Sequence, residues 1–479
     1  MKNELNSKQQ SAVVTIEGPL LIIAGAGSGK TRTLIERIAN IILSKRAFPS
    51  EIMAVTFTNK AAKELKERIV YRVGEIGKAV FAGTFHSISA RILRKYADRL
   101  GYNSNFVIYD TEDKEKVVKG MIKKNNFNNS SFPHKKISTL ISILKNKLIY
   151  PENYNSDTDE YFYDKIKDIY SDYQRELEKC NAFDFDDLIC MTVKLFQKNE
   201  DVLFEYQNRI KYICVDEYQD TNFVQDEFVT LLSKIYKNVC VVGDEDQSIY
   251  SWRGADINNI LTFKDRHKNC AMIQLEQNYR SSANILKTAN SIISKNIQRL
   301  GKNLFTESDS GEKIKLISCL SDIKEGNIVI DEIVNTVNEG SELNEICVLY
   351  RTNSQSRIIE ENLRKKGLPY SIFGGLKFYE RKEIKDITAY LRLLINSDDN
   401  VSFERILNFP PRGIDKKTLE KIKSKAIQTG LSYFQVLKSS DIFHSDSKSN
   451  NKISEFIELI ETTAIEMIKF NAQKTAEFI

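Results

Sequence analysis

Residues 24–31 read Ala24-Gly25-Ala26-Gly27-Ser28-Gly29-Lys30-Thr31, and they follow the apolar run Pro19-Leu20-Leu21-Ile22-Ile23. This pattern fixes a local fold: a buried strand, a glycine-rich turn, then a helix opened by Lys30-Thr31. It is the arrangement of a phosphate-binding loop. Gly25, Gly27 and Gly29 let the backbone curl so that successive N–H groups point inward at phosphates. The helix starting near Gly29 adds its positive end. In such a loop Lys30 reaches the β- and γ-phosphates, and the Thr31 hydroxyl sits on Mg²⁺. Ala24 stands where glycine is commoner, a small change.

Apolar runs of strand length recur at Leu20–Ile23, Ile52–Phe57, Tyr212–Val215, Val239–Val242, Ala271–Leu275, Ile314–Cys319 and Ile346–Tyr350. Longer helical patterns separate them. The alternation predicts a parallel α/β sheet with helices on both faces. Between about Asp110 and Ala182 the strands stop, which predicts a helical insertion. After Glu380 the pattern is helical again, broken at Asn408-Phe409-Pro410-Pro411-Arg412-Gly413. A chain of 479 residues has room for several domains.

No stretch approaches ~18 consecutive apolar residues, so no membrane span is expected. The polar N-terminus has no signal-peptide apolar core. The seven cysteines form no CxxC pair, and several lie inside apolar runs. They read as free thiols of a reducing cytoplasm. Four histidines give little support to a metal framework. The net charge of +5 is mild but unevenly spread. Thr111 to Tyr150 carries nine lysines against three acids, and Pro151 to Cys190 twelve acids against four bases. The lysine-rich half fits either a solvated helical face or a track for a nucleic-acid backbone.

Tyr212-Ile213-Cys214-Val215 delivers Asp216-Glu217 to the C-terminal end of a strand. Asp216 would hold Mg²⁺ beside Thr31, and Glu217 would orient and deprotonate an attacking water. The string continues Tyr218-Gln219-Asp220-Thr221. A second strand end, Val241-Val242-Gly243-Asp244-Glu245-Asp246-Gln247, runs into Ser248-Ile249-Tyr250-Ser251-Trp252-Arg253-Gly254. Gln247 can hydrogen-bond a γ-phosphate and sense its loss. Tyr250, Trp252 (the only tryptophan) and Arg253 offer faces on which bases can stack.

In this order the strings resemble the superfamily 1A DNA helicases of the UvrD/PcrA/Rep kind, from about Leu5 to Gly413. Leu5-Asn6 with Gln9-Gln10 and Ala12-Val13 is similar to the family's adenine-reading motif, which implies Gln9 as the base contact. The resemblance makes Ala24 to Arg32 the ATP loop, with Arg32 beside Thr31. Thr56-Phe57-Thr58-Asn59-Lys60-Ala61-Ala62 and Gly83-Thr84-Phe85-His86-Ser87 resemble two DNA-contact motifs, implying Phe57, Thr84 and His86 at the strand. Phe183-Asp184-Phe185-Asp186-Asp187-Leu188 resembles the segment returning from the insertion. Gln277-Asn278-Tyr279-Arg280-Ser281 implies Tyr279 stacked on adenine and Arg280 at the γ-phosphate. Tyr350-Arg351-Thr352-Asn353, Gln355-Ser356-Arg357 and Gly374-Gly375-Leu376-Lys377-Phe378 mark a second motor domain.

The resemblance therefore implies a RecA-like motor domain over 1–109 and 183–279, a helical insertion over 110–182, and the first half of a second RecA-like domain over 280–380. A partial second insertion would cover 381–479. It implies an ATP-dependent 3′-to-5′ helicase or single-stranded DNA translocase of repair or replication, using Mg²⁺ with ATP. Its expected partners are single-stranded, 3′-tailed or forked DNA and repair or replication proteins. No membrane is expected, and the state would be a monomer or weak dimer in the bacterial cytosol and nucleoid. The family's coupling motif and second γ-phosphate arginine do not occur among these residues, and the chain is expected to be an N-terminal portion. An arginine finger is worth about 10³–10⁵ in rate. The expectation is an ATP- and DNA-binding chain that turns over slowly and does not unwind, its second half poorly stable alone. The rivals are the motor subunit of a helicase–nuclease, a non-catalytic ATP-gated DNA binder, and an RNA helicase.

Overall fold

The computed structural model describes residues 4–128, 131–155, 161–297, 299–373, 381–439, 447–467, 469 and 472–478. The string Gly374–Phe378 lies outside them. Two compact units are formed, one of residues 1–311 and 390–479 and one of residues 312–389.

The larger unit is built on a sheet of six parallel strands. In chain order the described strands are β1 (Leu20–Ala24), β2 (Ile52–Thr56), β3 (Phe81–Thr84), β4 (Val107–Tyr109), β5 (Ala182–Asp184), β6 (Tyr212–Val215), β7 (Val239–Gly243) and β8 (Ala271–Leu275). The sheet order is β3-β2-β6-β7-β1-β8, and β4 pairs separately with β5. Every central strand is apolar at successive positions because both its faces are covered. Leu21, Ile23, Met53, Val55, Ile213, Val215 and Val241 point to one core, shared with the helices Phe85–Tyr96, Phe185–Lys198 and Phe223–Ser233. Leu20, Ile22, Ile52, Ala54, Cys214, Cys240 and Val242 point to the other, under the helices Lys30–Leu43 and Asn59–Val73. All of these strand positions are buried, and each fully buried Leu, Ile or Val is worth roughly 1.5–3 kcal/mol.

Parallel strands leave the sheet at one edge, so the segments after β1, β2, β3, β6, β7 and β8 gather at the C-terminal ends of the strands. Ligands of open α/β sheets bind there. Strand β3 was not expected from the sequence. It is short and carries Gly83, whose missing Cβ leaves room for the Ser87 hydroxyl.

Between β4 and β5 lie the helices Thr111–Lys124, His134–Asn146 and Tyr161–Lys179. They enclose their own core of Val118, Ile137, Ile141, Ile166, Ile169, Tyr170 and Leu177. At their root sits a buried charge network. Lys145 Nζ lies 2.9 Å from Asp184 Oδ2 and 2.8 Å from Asp187 Oδ1, and the Tyr173 hydroxyl donates to Asp184 (2.8 Å). Lys114 reaches Asp184 (3.3 Å) and Asp186 (2.8 Å). Burial alone would neutralise Lys145, but Asp184 and Asp187 hold it protonated. Burial likewise works against the Asp184 charge, and Lys114 and Lys145 more than offset it. Two of the nine lysines between Thr111 and Tyr150 are thus structural and inside. The helices after Ile395 dock on this insertion, with the Tyr109 hydroxyl donating to Asp399 (2.8 Å) and Asn396 Nδ2 donating to the Cys180 carbonyl (2.8 Å).

In the smaller unit the helices Asp322–Asn338 and Ser356–Lys365 pack through Ile330, Ile333 and Leu363. The strands expected at Ile314–Cys319 and Ile346–Tyr350 are not formed. These segments carry no ladder among the described residues. A buried parallel strand needs a neighbour in register and a cover on each face, yet Leu316 and Leu349 are 98% and 90% exposed.

Lys145→Ala should leave Asp187 buried without its cation and Asp184 with Lys114 as its remaining cation, and cost about 3–5 kcal/mol. Urea denaturation followed by circular dichroism checks this, and a loss near zero would show the network to be solvated.

Candidate active site

The turn after β1 is shaped by Gly27 (φ +70°) and Gly29 (φ +82°), conformations that favour glycine. Gly29 precedes the helix Lys30–Leu43, so the first N–H groups of that helix face the turn. Opposite it, β6 ends at Asp216-Glu217. Lys30 Nζ donates to Glu217 Oε2 (3.2 Å), and Thr31 Oγ1 donates to Asp216 Oδ2 (3.1 Å). Glu217 stands at φ +53°, and its N–H donates to Asp216 Oδ1 (3.0 Å). Burial, then the adjacent Glu217 charge, raises the Asp216 carboxyl to about 6 against the pull of Lys30 and Thr31. Asp220 is raised to about 6 by burial and Glu217, and its buried Oδ1 has no hydrogen-bond partner. The Thr31 hydroxyl and Asp216 carboxylate form an oxygen donor set that suits a hard divalent cation keeping several waters.

Two segments clamp the turn. Asn6 caps the helix Ser7–Val14 reciprocally with Gln9, a capping box. Buried Gln9 donates through Nε2 to the Ser28 carbonyl (2.9 Å). From the far side Asn278 donates to the Ala26 carbonyl (2.6 Å), accepts from the N–H groups of Arg280 and Ser281, and is followed by Tyr279, whose N–H donates to the Gly27 carbonyl (2.9 Å). Asn6 Nδ2 donates to the Tyr279 hydroxyl (2.8 Å), so Gln9 and the half-exposed Tyr279 ring share one corner. Arg280 follows directly above Gly27. Gly25 faces Leu304 instead of a polar partner. Ala24 ends β1, Ser28 Oγ donates to the Gly25 carbonyl (2.7 Å), and Arg32 lies in the first turn of the helix.

Gln247 follows β7 and donates through Nε2 to Asp244 Oδ2. The same loop carries the aromatic residues. Phe57, after β2, stacks on Tyr250 with centroids 5.2 Å apart and planes at 26°. Tyr250 meets Trp252 at 6.4 Å, and the Arg253 guanidinium lies 4.6 Å above the Trp252 ring. Trp252 is 70% exposed. The four side chains form a ledge with free π faces and a cation. Thr84 and His86 are engaged elsewhere. Thr84 is buried and caps the helix Phe85–Tyr96, and His86 lies edge-on to Phe185 beside Asp186. Burial lowers the His86 pKa while Asp186 opposes it.

The sequence did not point to Lys302. Its Nζ lies 2.6 Å from Asp244, 2.9 Å from Glu245 and 2.7 Å from Asp246, and Arg299 forks onto Asp246 (2.8 and 2.9 Å). This pins the loop after β7. Asn6 and Asn278 are clamp residues as well, and the Asn6-x-x-Gln9 spacing is a capping-box signal visible in the sequence.

Two family descriptions match the chain: the UvrD/REP helicase N-terminal domain over residues 5–268 and the UvrD-like helicase C-terminal domain over residues 273–477. The chain is 48% identical over 458 residues to the ATP-dependent DNA helicase PcrA of Bacillus subtilis (strain 168), covering 95% of this chain and 62% of that protein. It is 45% identical over 460 residues to the protein of the same name from Staphylococcus aureus (strain COL), covering 96% and 63%. The chain thus spans about 62–63% of the length of these relatives.

The raised Asp216 carboxyl has a consequence for folding. Its folded value of about 6 exceeds the ordinary 3.8, so the folded state binds more protons between about pH 4 and 6. Its contribution to stability is present below that window and lost as the pH rises through it. Asp216→Asn should therefore gain stability over wild type at pH 7 by up to about 3 kcal/mol more than at pH 4. Paired urea titrations at both pH values measure this, and an unchanged difference would contradict it.

Proposed function

The chain belongs to the UvrD/REP helicase family, and on that footing we propose that its protein is an ATP-driven motor on single-stranded DNA, moving 3′ to 5′ and unwinding duplexes in repair or replication. The observation that carries the proposal is the placing of Lys30–Glu217, Thr31–Asp216 and the Phe57–Tyr250–Trp252–Arg253 ledge along one edge of one sheet. A nucleotide site and a stacking surface so placed can exchange strain through short loops.

In this reading adenine lies between Gln9 and Tyr279, and the phosphates lie in the turn 25–29. Lys30 leaves Glu217 for the β- and γ-phosphates, which frees Glu217 to orient a water and take its proton. Gln247 and Arg280 approach the γ-phosphate. Mg²⁺ held by Thr31 and Asp216 would neutralise charge on the β- and γ-oxygens. Bases pass over the ledge, with Thr84 and His86 supporting the strand. Residues 1–109 with 183–279 act as the first motor domain and 110–182 as its insertion. The cytoplasm is the proposed compartment, and tailed or forked DNA the proposed substrate.

A second reading applies to the 479 residues by themselves: an ATP-gated single-stranded DNA binder with slow turnover. The exposed Leu316, Leu320 and Leu349 of the smaller unit favour it. Unwinding of a 3′-tailed duplex by the purified chain at rates matching its ATP hydrolysis would exclude it.

Lys30→Ala should cut DNA-stimulated ATP hydrolysis by about 10²–10³-fold, the scale for removing one charge-stabilising donor, while DNA binding without nucleotide persists. Trp252→Ala should weaken oligo-dT binding by about 5- to 150-fold, the equivalent of one lost stacking contact. Hydrolysis assays and fluorescence anisotropy separate the two, and equal losses of both functions in either variant would contradict the division. Stimulation by single-stranded RNA equal to that by DNA would overturn the choice of nucleic acid.

A further inference from the structure

We propose that Gln219 is a positioning residue that ties the Glu217 carboxylate to the root of the aromatic ledge. The proposal rests on the ATP-site reading above. Gln219 is 1% exposed and both ends of its side-chain amide are used. Its Nε2 donates to Glu217 Oε2 (2.9 Å), the oxygen that also takes Lys30 Nζ. Its Oε1 accepts from the Asp244 N–H (2.9 Å), at the first residue after β7. Its backbone carbonyl accepts from Ser248 Oγ (3.3 Å), two residues before Tyr250.

The packing leaves this amide no slack. A Cβ at Gly243 would lie 2.6 Å from Gln219 Oε1 and 3.3 Å from its N, so glycine at the end of β7 is what admits the side chain. Asp244 is held in turn by Lys302 (2.6 Å) and by Gln247. A carboxamide can donate to a carboxylate at one end and accept a backbone N–H at the other. When a γ-phosphate draws Lys30 from Glu217, Gln219 remains the polar side chain on that oxygen. A shift of the carboxylate is then carried to the Asp244 backbone and so to Tyr250 and Trp252.

Trp252 is the only tryptophan, so its emission reports on the ledge without a label. The 479-residue chain is titrated with Mg·AMP-PNP. Nucleotide binding is followed independently by isothermal calorimetry, and oligo-dT affinity by anisotropy. In wild type the nucleotide should change both the Trp252 emission and the oligo-dT affinity. Gln219→Leu should bind nucleotide and lose both responses. Gln219→Glu keeps an acceptor for the Asp244 N–H but sets a carboxylate against Glu217. It should lose them too, and it carries the test if the leucine variant does not fold. A folded, nucleotide-bound variant that responds like wild type overturns the proposal. Wild type that binds nucleotide with no change at Trp252 also overturns it and leaves the ATP-site reading standing. Wild type that binds no nucleotide overturns both.

Discussion

Everything at the working edge of the sheet depends on holding two carboxylates side by side at the end of β6. Asp216 and Glu217 repel one another, and the repulsion is part of what lifts Asp216 to about 6. Glu217 also takes a left-handed backbone conformation, which costs a non-glycine residue on the order of 1–3 kcal/mol. Three donors offset these costs: Lys30 and Gln219 on the Glu217 side chain, and Thr31 on Asp216. Two of the three come from the first turn of the helix that follows β1. That turn and the end of β6 flank β7 in the sheet, so the ion pair also fixes the outlet between them, where Asp244 stands. In this arrangement Lys30 is paired with Glu217 without a ligand. In the proposed reading a triphosphate competes for Lys30, and its arrival releases Glu217.

The turn itself is preformed. The carbonyls of Ala26, Gly27 and Ser28 already accept from Asn278, Tyr279 and Gln9, so these backbone acceptors are satisfied by the clamp. The clamp explains the glycines as well as their dihedral angles do. A Cβ at Gly27 would lie 2.6 Å from Asn278 Nδ2 and one at Gly29 2.8 Å from Gln9 Nε2. The residues expected to read adenine thereby brace the phosphate loop too, which couples recognition of the base to the geometry around the phosphates.

Short-range patterns carried much of this into the sequence. β1, β6 and β7 are uninterrupted apolar runs, as is β2 up to Thr56, because a parallel strand buried on both faces needs no polar alternation. The carboxylate pair, the glycine turn and the Tyr250–Arg253 string are contiguous, so their chemistry can be read directly. What was not legible is what depends on tertiary approach. Lys302 meets three acids more than fifty residues earlier, and Lys114 and Lys145 look like surface lysines until Asp184, Asp186 and Asp187 close on them. Thr84 and His86 lie in a string that resembles a DNA-contact motif, yet the visible work of Thr84 is capping and His86 packs on Phe185. The runs at 314–319 and 346–350 show the opposite error. Their apolar character predicts strands, but a strand is a property of its neighbours as much as of itself.

The network at the insertion root shows what a buried charge can do that an apolar core cannot. Hydrophobic residues of similar volume would hold such a seam at least as firmly. They would also accept many small rotations, since apolar contact is non-directional. Lys145 must find Asp184 and Asp187, and Lys114 must find Asp184 and Asp186, or each is left charged in a dry interior. The seam is also wired toward the site. Asn146 donates to Asp186 (3.0 Å) and accepts from Asn222 (2.7 Å), which immediately follows the string Asp216–Thr221. A helical insertion seated by such contacts has one orientation relative to the strand that carries the base. Under the proposed function, that fixed orientation lets the insertion move as one body with the sheet.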